Sequence, residues 1–344
     1  MINQIFHWKR FWCNRTGTIS MTDNGFFLDP ESEYARYYHK GVVAFEDIQK
    51  MPCLILLGEP GIGKTTTVNS EIKTLENQIT ESDDELFYIN LNEYGDEKRI
   101  IYEIFESSTV QLWMKGQYRL HLFLDSMDEC FLEIPKLAII FKNQFRKLKD
   151  YVSRLSLRIS CRTADWPEIL KNEFDIIWGE ENVEVYELAP LRRKDVREAA
   201  QALGLDSSGF IDAIEKKEIQ SLAINPITLK FLLDEFINKQ QFSDTRSELF
   251  LRGCEHLCTE NNPDRLATQK TGALSTAKRL ALASRIAAVM IFCNRSSVYL
   301  HGNTSDSKET DLTLQMLQEG EKTTGDHTFS FAEGDLEEVI KYSA

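Results

Sequence analysis

The sequence lacks an excess of basic residues: 54 Asp and Glu outnumber 40 Lys and Arg, which gives a formal net charge of −14. Because affinity for nucleic acid depends largely on Lys and Arg that displace counterions from phosphates, this balance does not favour nucleic acid as a partner. With 42% hydrophobic and 27% charged residues, the composition is that of a globular protein. A chain of 344 residues is long enough for two domains.

Long apolar runs are lacking as well. The longest, residues 286–293, is less than half a membrane span, so no segment is expected to cross a bilayer. Residues 1–12 are too short and too interrupted by charge for a secretory signal; their aromatic side chains fit either a helix against the core or a membrane or partner surface. The seven cysteines are odd in number and scattered along the chain, which favours reduced thiols and a cytoplasmic location.

Short apolar runs alternate with longer helical patterns between residues 51 and 191. This alternation is typical of a parallel sheet with helices on its faces, because each crossover is long enough to return the chain parallel. From residue 192 onward strand patterns vanish. The sequence therefore predicts an α/β fold, with a doubly wound parallel sheet followed by an all-helical domain. The predicted strands are 53–57, 86–91, 120–125, 157–161 and 183–188. The predicted helices include 64–78, 98–115, 195–203, 210–219, 227–238 and 244–258, with one or two more in 266–292.

A glycine-rich loop follows the first predicted strand. Residues 58–65, Gly-Glu-Pro-Gly-Ile-Gly-Lys-Thr, match G-x-x-x-x-G-K-[ST] between an apolar strand and a helical run, the context that a phosphate-binding loop requires. Its backbone N–H groups would face the phosphates, Lys64 would reach the β and γ oxygens, and the Thr65 hydroxyl would bind magnesium. The sequence thus predicts a P-loop NTPase domain that binds ATP or GTP with Mg²⁺. The predicted nucleotide-binding residues are Gly58, Glu59, Pro60, Gly61, Ile62, Gly63, Lys64, Thr65 and Thr66.

Acidic residues follow the third predicted strand. Asp125 ends this strand and is predicted to bind magnesium, through water, together with Thr65. Asp128 or Glu129 is predicted to polarise the attacking water during hydrolysis of the γ-phosphate. An apolar run that ends in Asp is equally consistent with helix capping, but the glycine loop upstream favours the magnesium role.

Arg162 follows the fourth predicted strand, at the carboxyl edge of the sheet, where ligands of open parallel sheets bind. A guanidinium there would distinguish triphosphate from diphosphate by charge-assisted hydrogen bonds. The alternative is a surface salt bridge.

These motifs together resemble the NACHT class of STAND ATPases, signal-transducing NTPases that include animal inflammasome receptors and many bacterial anti-phage proteins. The glycine loop, the acidic stretch 122–129 and the stretch 159–163 carry the resemblance, which spans about residues 50–295. Residues 186–191 look like the family's link from sheet to helical domain. Asn225-Pro226 is similar to its proline contact near the adenine, which implies that Pro226 contacts the nucleotide.

The resemblance implies a slowly hydrolysing ATPase switch, resting closed with ADP and opening to exchange it for ATP, with prokaryotic anti-phage defence as one setting. It also implies nucleotide-dependent self-association or a partner sensor or effector protein. The residues after Asp335 are too few for the family's winged-helix segment and repeat sensor, so we expect either a truncated product or a compact variant acting with a partner. The alternatives are a nucleotide-dependent binding module without turnover and a remodelling ATPase of the AAA+ type.

Four regions are expected along the chain. Residues 1–50 form an N-terminal segment of unclear role, and 51–191 form the P-loop NTPase domain. Residues 192–302 form the helical domain, and 303–344 form an acidic loop that ends in a helix at 335–342.

Overall fold

A computed structural model of the chain describes residues 6–80, 82–239, 242, 245–259 and 275–292. The chain divides into two compact units, Met1–Ser243 and Asp244–Ala344. The boundary predicted between residues 191 and 192 lies inside the first unit. The region 303–344, with its predicted terminal helix, lies outside the described residues.

The first unit is built on a seven-stranded sheet with the strand order β2-β1-β7-β3-β6-β5-β4. The strands are β1 (Phe11–Thr18), β2 (Lys40–Ala44), β3 (Cys53–Leu57), β4 (Glu85–Asn90), β5 (Leu120–Asp125), β6 (Leu155–Cys161) and β7 (Val183–Leu188). The strands from β3 to β7 are parallel, whereas β1 pairs antiparallel with β7 and β2 pairs antiparallel with β1. The predicted α/β fold with its parallel sheet is confirmed.

The two antiparallel strands were not predicted from the sequence. Both come from the first fifty residues, so this segment extends the sheet. Only the first residues of β1, Phe11, Trp12 and Cys13, are buried; its later residues are mostly exposed, and its register with β2 shifts between Cys13 and Thr18. A strand of this kind shows neither alternation nor a continuous apolar run, so its sequence pattern does not predict a strand.

Helices cover the sheet and dominate the chain after β7. Those of the first unit are α1 (Ala35–Tyr38), α2 (Phe45–Ile48), α3 (Lys64–Ile79), α4 (Glu97–Ile100), α5 (Ser108–Lys115), α6 (Met127–Glu133), α7 (Leu137–Lys147), α8 (Glu168–Trp178), α9 (Arg193–Ala202), α10 (Ser207–Lys217), α11 (Gln220–Ala223) and α12 (Pro226–Lys239). The described helices of the second unit are α13 (Arg246–Cys258) and α14 (Thr276–Phe292). None of the helices in the described ranges combines the length and apolar character needed to cross a membrane.

Alternate residues of β3 enter two separate hydrophobic clusters. Cys53, Ile55 and Leu57 pack in the cluster that includes α4 to α8, whereas Leu54 and Leu56 pack in the cluster with α2 and α3. Because side chains of a strand point alternately to opposite faces, the sheet is buried on both sides, as in a doubly wound fold.

The prediction of one continuous helix over residues 98–115 is wrong. After α4, residues Ile101–Phe105 form a π-helical turn, and α5 begins only at Ser108. The Ser107 hydroxyl donates a hydrogen bond to the Ile104 carbonyl (2.8 Å) and accepts one from the Val110 amide (3.3 Å). This serine caps the start of α5 and so ends the preceding turn.

Candidate functional site

The glycine-rich loop connects β3 to α3. Gly61 and Gly63 have φ values of +73° and +94°, in the left-handed region that favours glycine. Gly63 is the N-cap of α3 and has no side chain to cap it, and the first amide of the helix with a helical partner is that of Thr67, bonded to the Gly63 carbonyl at 3.0 Å. The N–H groups at the start of α3 are therefore available to an anion, at the positive end of the helix dipole.

Close packing also requires glycine in this loop. A Cβ atom at Gly61 would lie 2.6 Å from Cγ2 of Ile227, and one at Gly58 would lie 3.0 Å from Cγ2 of Ile62. The loop thus packs closely against the start of α12 at Gly61 and against its own Ile62 side chain at Gly58. The motif positions Glu59, Pro60, Gly61, Thr65 and Thr66 are exposed.

The Lys64 side chain folds back over the loop, and its ammonium donates a hydrogen bond to the Gly58 carbonyl. Burial lowers the pKa of Lys64, and the charge of Asp128 partly opposes this effect. The lysine ammonium thus lies against the loop, and the acidic motif contributes a favourable charge interaction.

Asp125 is buried at the end of β5, with 1% of its surface exposed. Its Oδ1 atom accepts hydrogen bonds from the Ser160 hydroxyl and from the Ser126 amide at 3.0 Å, and its Oδ2 atom accepts one from the Tyr88 hydroxyl at 3.3 Å. Burial, followed by the nearby Asp125 carboxylate, raises the pKa of Tyr88 to about 12, so this hydroxyl keeps its proton. Three donors therefore orient one carboxylate, and Ser160 and Tyr88 were not among the predicted site residues.

Asp128 and Arg162 form an ion pair. The Arg162 backbone amide donates to Oδ1 of Asp128 at 3.1 Å, and its Nε atom lies 2.8 Å from Oδ2. Both side chains are largely enclosed, with 7% of Asp128 and 19% of Arg162 exposed, so most of the pair is shielded from solvent. Glu129, the next residue in the first turn of α6, is half-buried.

The sheet register brings these groups to one edge. Leu57, before the loop, pairs with Cys161, before Arg162. On the other side of β6, Ile159 pairs with Leu124, before Asp125. The strand carrying Arg162 therefore lies between the strand of the glycine loop and the strand of the acidic motif, and all three end at the same edge.

These features decide the fold. The chain has a P-loop NTPase fold.

No family model matches the sequence, and neither does any curated protein. Solved structures similar in fold include the Aeropyrum pernix Orc1 protein in complex with DNA, at 15% identity over 84% of this chain and 76% of that one, with a TM-score of 0.43. AMPPCP-bound DnaA from Aquifex aeolicus matches at 16% identity over 80% and 86% of the two chains, with a TM-score of 0.41. The Thermotoga maritima RuvB Holliday junction branch migration motor matches at 15% over 76% and 74%, with a TM-score of 0.35.

The start of α12 lies against the P-loop. The Asn225 side chain donates a hydrogen bond from Nδ2 to the Pro60 carbonyl at 3.3 Å. Pro226, which the resemblance implies as a nucleotide contact, has its Cγ atom 3.6 Å from the position that a Cβ would take at Gly63. The structure therefore brings Pro226 to the P-loop, across more than 150 residues of sequence.

Arg10, from the N-terminal segment, is a second neighbour of the P-loop, and no sequence motif indicates this contact. Its Nη1 atom donates to the Ile62 carbonyl at 2.9 Å, and its Nη2 atom donates to the Ala189 carbonyl at 2.7 Å. Burial lowers the pKa of Arg10 to about 10, so the guanidinium remains charged at neutral pH. Two residues before it, the Trp8 indole donates to the Asp195 carbonyl at 3.0 Å, which fixes this segment against α9.

The residues present fit a magnesium nucleotide. The loop offers amides at the start of a helix, a lysine ammonium and the Thr65 hydroxyl, and the neighbouring strand end offers a carboxylate that three donors orient. Hard oxygen ligands of this kind suit Mg²⁺, which usually keeps several waters and binds one or two protein groups together with phosphates.

Proposed function

We propose that this protein is a P-loop ATPase that binds ATP or ADP with Mg²⁺ at residues 58–66 and hydrolyses ATP slowly. One observation carries the proposal: the P-loop, the buried Asp125 and the Asp128–Arg162 pair lie at the carboxyl ends of three adjacent parallel strands. A purely structural loop would need neither an oriented carboxylate nor a charged pair beside it.

Each side chain has a role that follows from its surroundings. Lys64 and the amides of the loop would bind the β and γ phosphates, and Thr65 and Asp125 would hold the metal. When bound, magnesium supplies positive charge that neutralises the phosphate oxygens. Ser160 and Tyr88 keep the Asp125 carboxylate in one orientation, as outer partners of metal ligands do.

Glu129 is the stronger candidate for the general base. Both carboxylate oxygens of Asp128 already bind Arg162, one through its backbone amide and one through its guanidinium. Asp128 therefore acts mainly to position Arg162 beside the P-loop. Glu129 lies one residue further along the first turn of α6 and is half-buried, and we assign to it the role of polarising the attacking water.

The proposed biological role is that of a molecular switch of the NACHT class of STAND ATPases, with nucleotide state coupled to assembly or to a partner protein, in a setting such as prokaryotic anti-phage defence. Contacts between the P-loop and the helices after β7 support this proposal. Asn225 and Ile227 touch the loop, and the Leu191 amide donates to the Ile224 carbonyl at 2.8 Å, which ties the end of the sheet to the same helices. A nucleotide that favours one arrangement of these contacts would shift the equilibrium between conformations.

A single-turnover hydrolysis assay combined with native mass measurement tests this function. The proposal predicts slow formation of ADP together with ATP-dependent assembly. Tight binding without any turnover would indicate a binding module instead, and rapid turnover by a ring would indicate a remodelling ATPase. Either of these two results would contradict the switch.

A further inference from the structure

Three carbonyl groups of the P-loop each accept a hydrogen bond from a side chain. Lys64 donates to the carbonyl of Gly58, Asn225 to that of Pro60, and Arg10 to that of Ile62. The accepting carbonyls therefore belong to every second residue of the loop, at positions 58, 60 and 62. Two of the donors belong to distant parts of the chain, one before β1 and one at the start of α12.

The alternation matters because of peptide geometry. In a trans peptide the carbonyl of one residue and the N–H of the next point in opposite directions. Side chains that bind the carbonyls of Pro60 and Ile62 therefore also fix the directions of the Gly61 and Gly63 amides. Because glycine has no Cβ atom, Gly61 and Gly63 could adopt many backbone conformations besides the positive φ seen here, so without such contacts the loop would have to be ordered on binding.

The two distant donors are themselves held in place. Arg10 uses its other terminal nitrogen to bind the Ala189 carbonyl, in the segment that leads from β7 to α9. The Asn225 side chain accepts a hydrogen bond from the Ile227 amide at 3.1 Å, which caps α12 and leaves its Nδ2 atom directed at the loop. Neither donor belongs to the glycine motif, so the motif alone does not determine the loop's shape.

We propose that Arg10 and Asn225 are positioning residues that hold the P-loop amides ready for a nucleotide's phosphates before the nucleotide binds. They act through the loop's carbonyls and need not touch the ligand. This inference rests on the proposed nucleotide site and extends it: the N-terminal segment and the start of α12 set the affinity of that site.

Two measurements on variants of the 344-residue chain test this role. The first is backbone amide exchange of the peptide covering residues 58–66 without nucleotide, where Arg10→Gln and Asn225→Ala should each exchange several-fold faster than the wild type. The second is calorimetric titration with Mg-ADP. Arg10→Gln should weaken binding about tenfold, since it loses a charged donor, and Asn225→Ala should weaken it about threefold. Arg10→Lys should recover part of the affinity, because an ammonium keeps the charge but lacks the two terminal guanidinium nitrogens that bind two carbonyls.

Arg15→Gln is the matched control. Arg15 lies on the same N-terminal segment and pairs with Glu168 at the surface, so its loss removes the same charge without touching the loop. If Arg10→Gln and Asn225→Ala fold and match Arg15→Gln in both exchange and affinity, the proposal is wrong. If Arg10→Gln fails to fold, Arg10→Lys and Asn225→Ala decide by the same criteria. If the wild type binds no nucleotide, the proposed function fails, and the exchange comparison still tests the positioning role.

Discussion

Replacing Ser160 with Ala should weaken the affinity of the nucleotide site for magnesium while leaving the P-loop intact. The Ser160 hydroxyl donates to Oδ1 of Asp125, one of three donors that orient this buried carboxylate. A hydrogen bond to a charged group contributes about 1.5–3 kcal/mol, and loss of an outer partner of a metal ligand typically costs about 10–100-fold in metal affinity. We therefore expect about tenfold more magnesium to be needed for half-maximal binding of ATP.

Ser156→Ala provides the matched control. Ser156 lies on the same strand, is similarly buried at 4% exposure against 2% for Ser160, and is contacted by Arg119 at 3.5 Å, away from the carboxylate. A fluorescent ATP analogue titrated at fixed concentration with increasing Mg²⁺ gives the comparison. If the two variants require the same magnesium concentration, the proposed orientation of Asp125 by Ser160 is refuted.

Three further predictions follow from the site and the core. Glu129→Gln should retain nucleotide binding and slow single-turnover hydrolysis by about 100-fold or more, whereas a variant as fast as the wild type would exclude Glu129 as the base. Gly61→Ala should destabilise the protein by about 1–3 kcal/mol in urea unfolding, because its Cβ would meet Ile227 and its φ is positive; an unchanged midpoint would contradict this packing. Burial raises the pKa of Glu71 from 4.5 to about 7, so the native state holds this proton more tightly than the unfolded state and loses stability as pH rises from 4.5 to 7. Glu71→Gln should therefore be more stable than the wild type at pH 8, by on the order of 2 kcal/mol, and this advantage should vanish at pH 4; an equal advantage at both pH values would count against it.

The parts of the fold that could be predicted are those that depend on short, local sequence patterns. The loop from Gly58 to Thr65 is one, because an apolar strand, a glycine turn and a helix follow each other directly. The five parallel strands are another, since each has apolar residues in a short run or at alternate positions, and each begins and ends within two residues of its predicted position. These features determine the carboxyl edge of the sheet, where ligands of such folds bind.

The features that could not be predicted depend on distant contacts or on weak patterns. Arg10 reaches the P-loop from 52 residues away and Asn225 from 165, and no local periodicity shows such contacts. Ser160 looks like a minor polar interruption in a buried strand until the register places it beside Asp125. Ser107 interrupts a helical pattern whose apolar spacing continues on both sides, so only the capping bond shows that the helix ends there.

The central claim is that the amides around Gly61 and Gly63, with Lys64 and Asp125, bind a magnesium nucleotide. Isothermal titration calorimetry with Mg-ADP and Mg-ATP tests it most directly, with Lys64→Ala as the comparison and thermal unfolding as the check on folding. We predict a saturable binding heat for the wild type and loss of most of the affinity for ATP in Lys64→Ala. A well-folded wild type that gives no heat with either nucleotide, or a Lys64→Ala variant that binds as tightly as the wild type, would contradict the account.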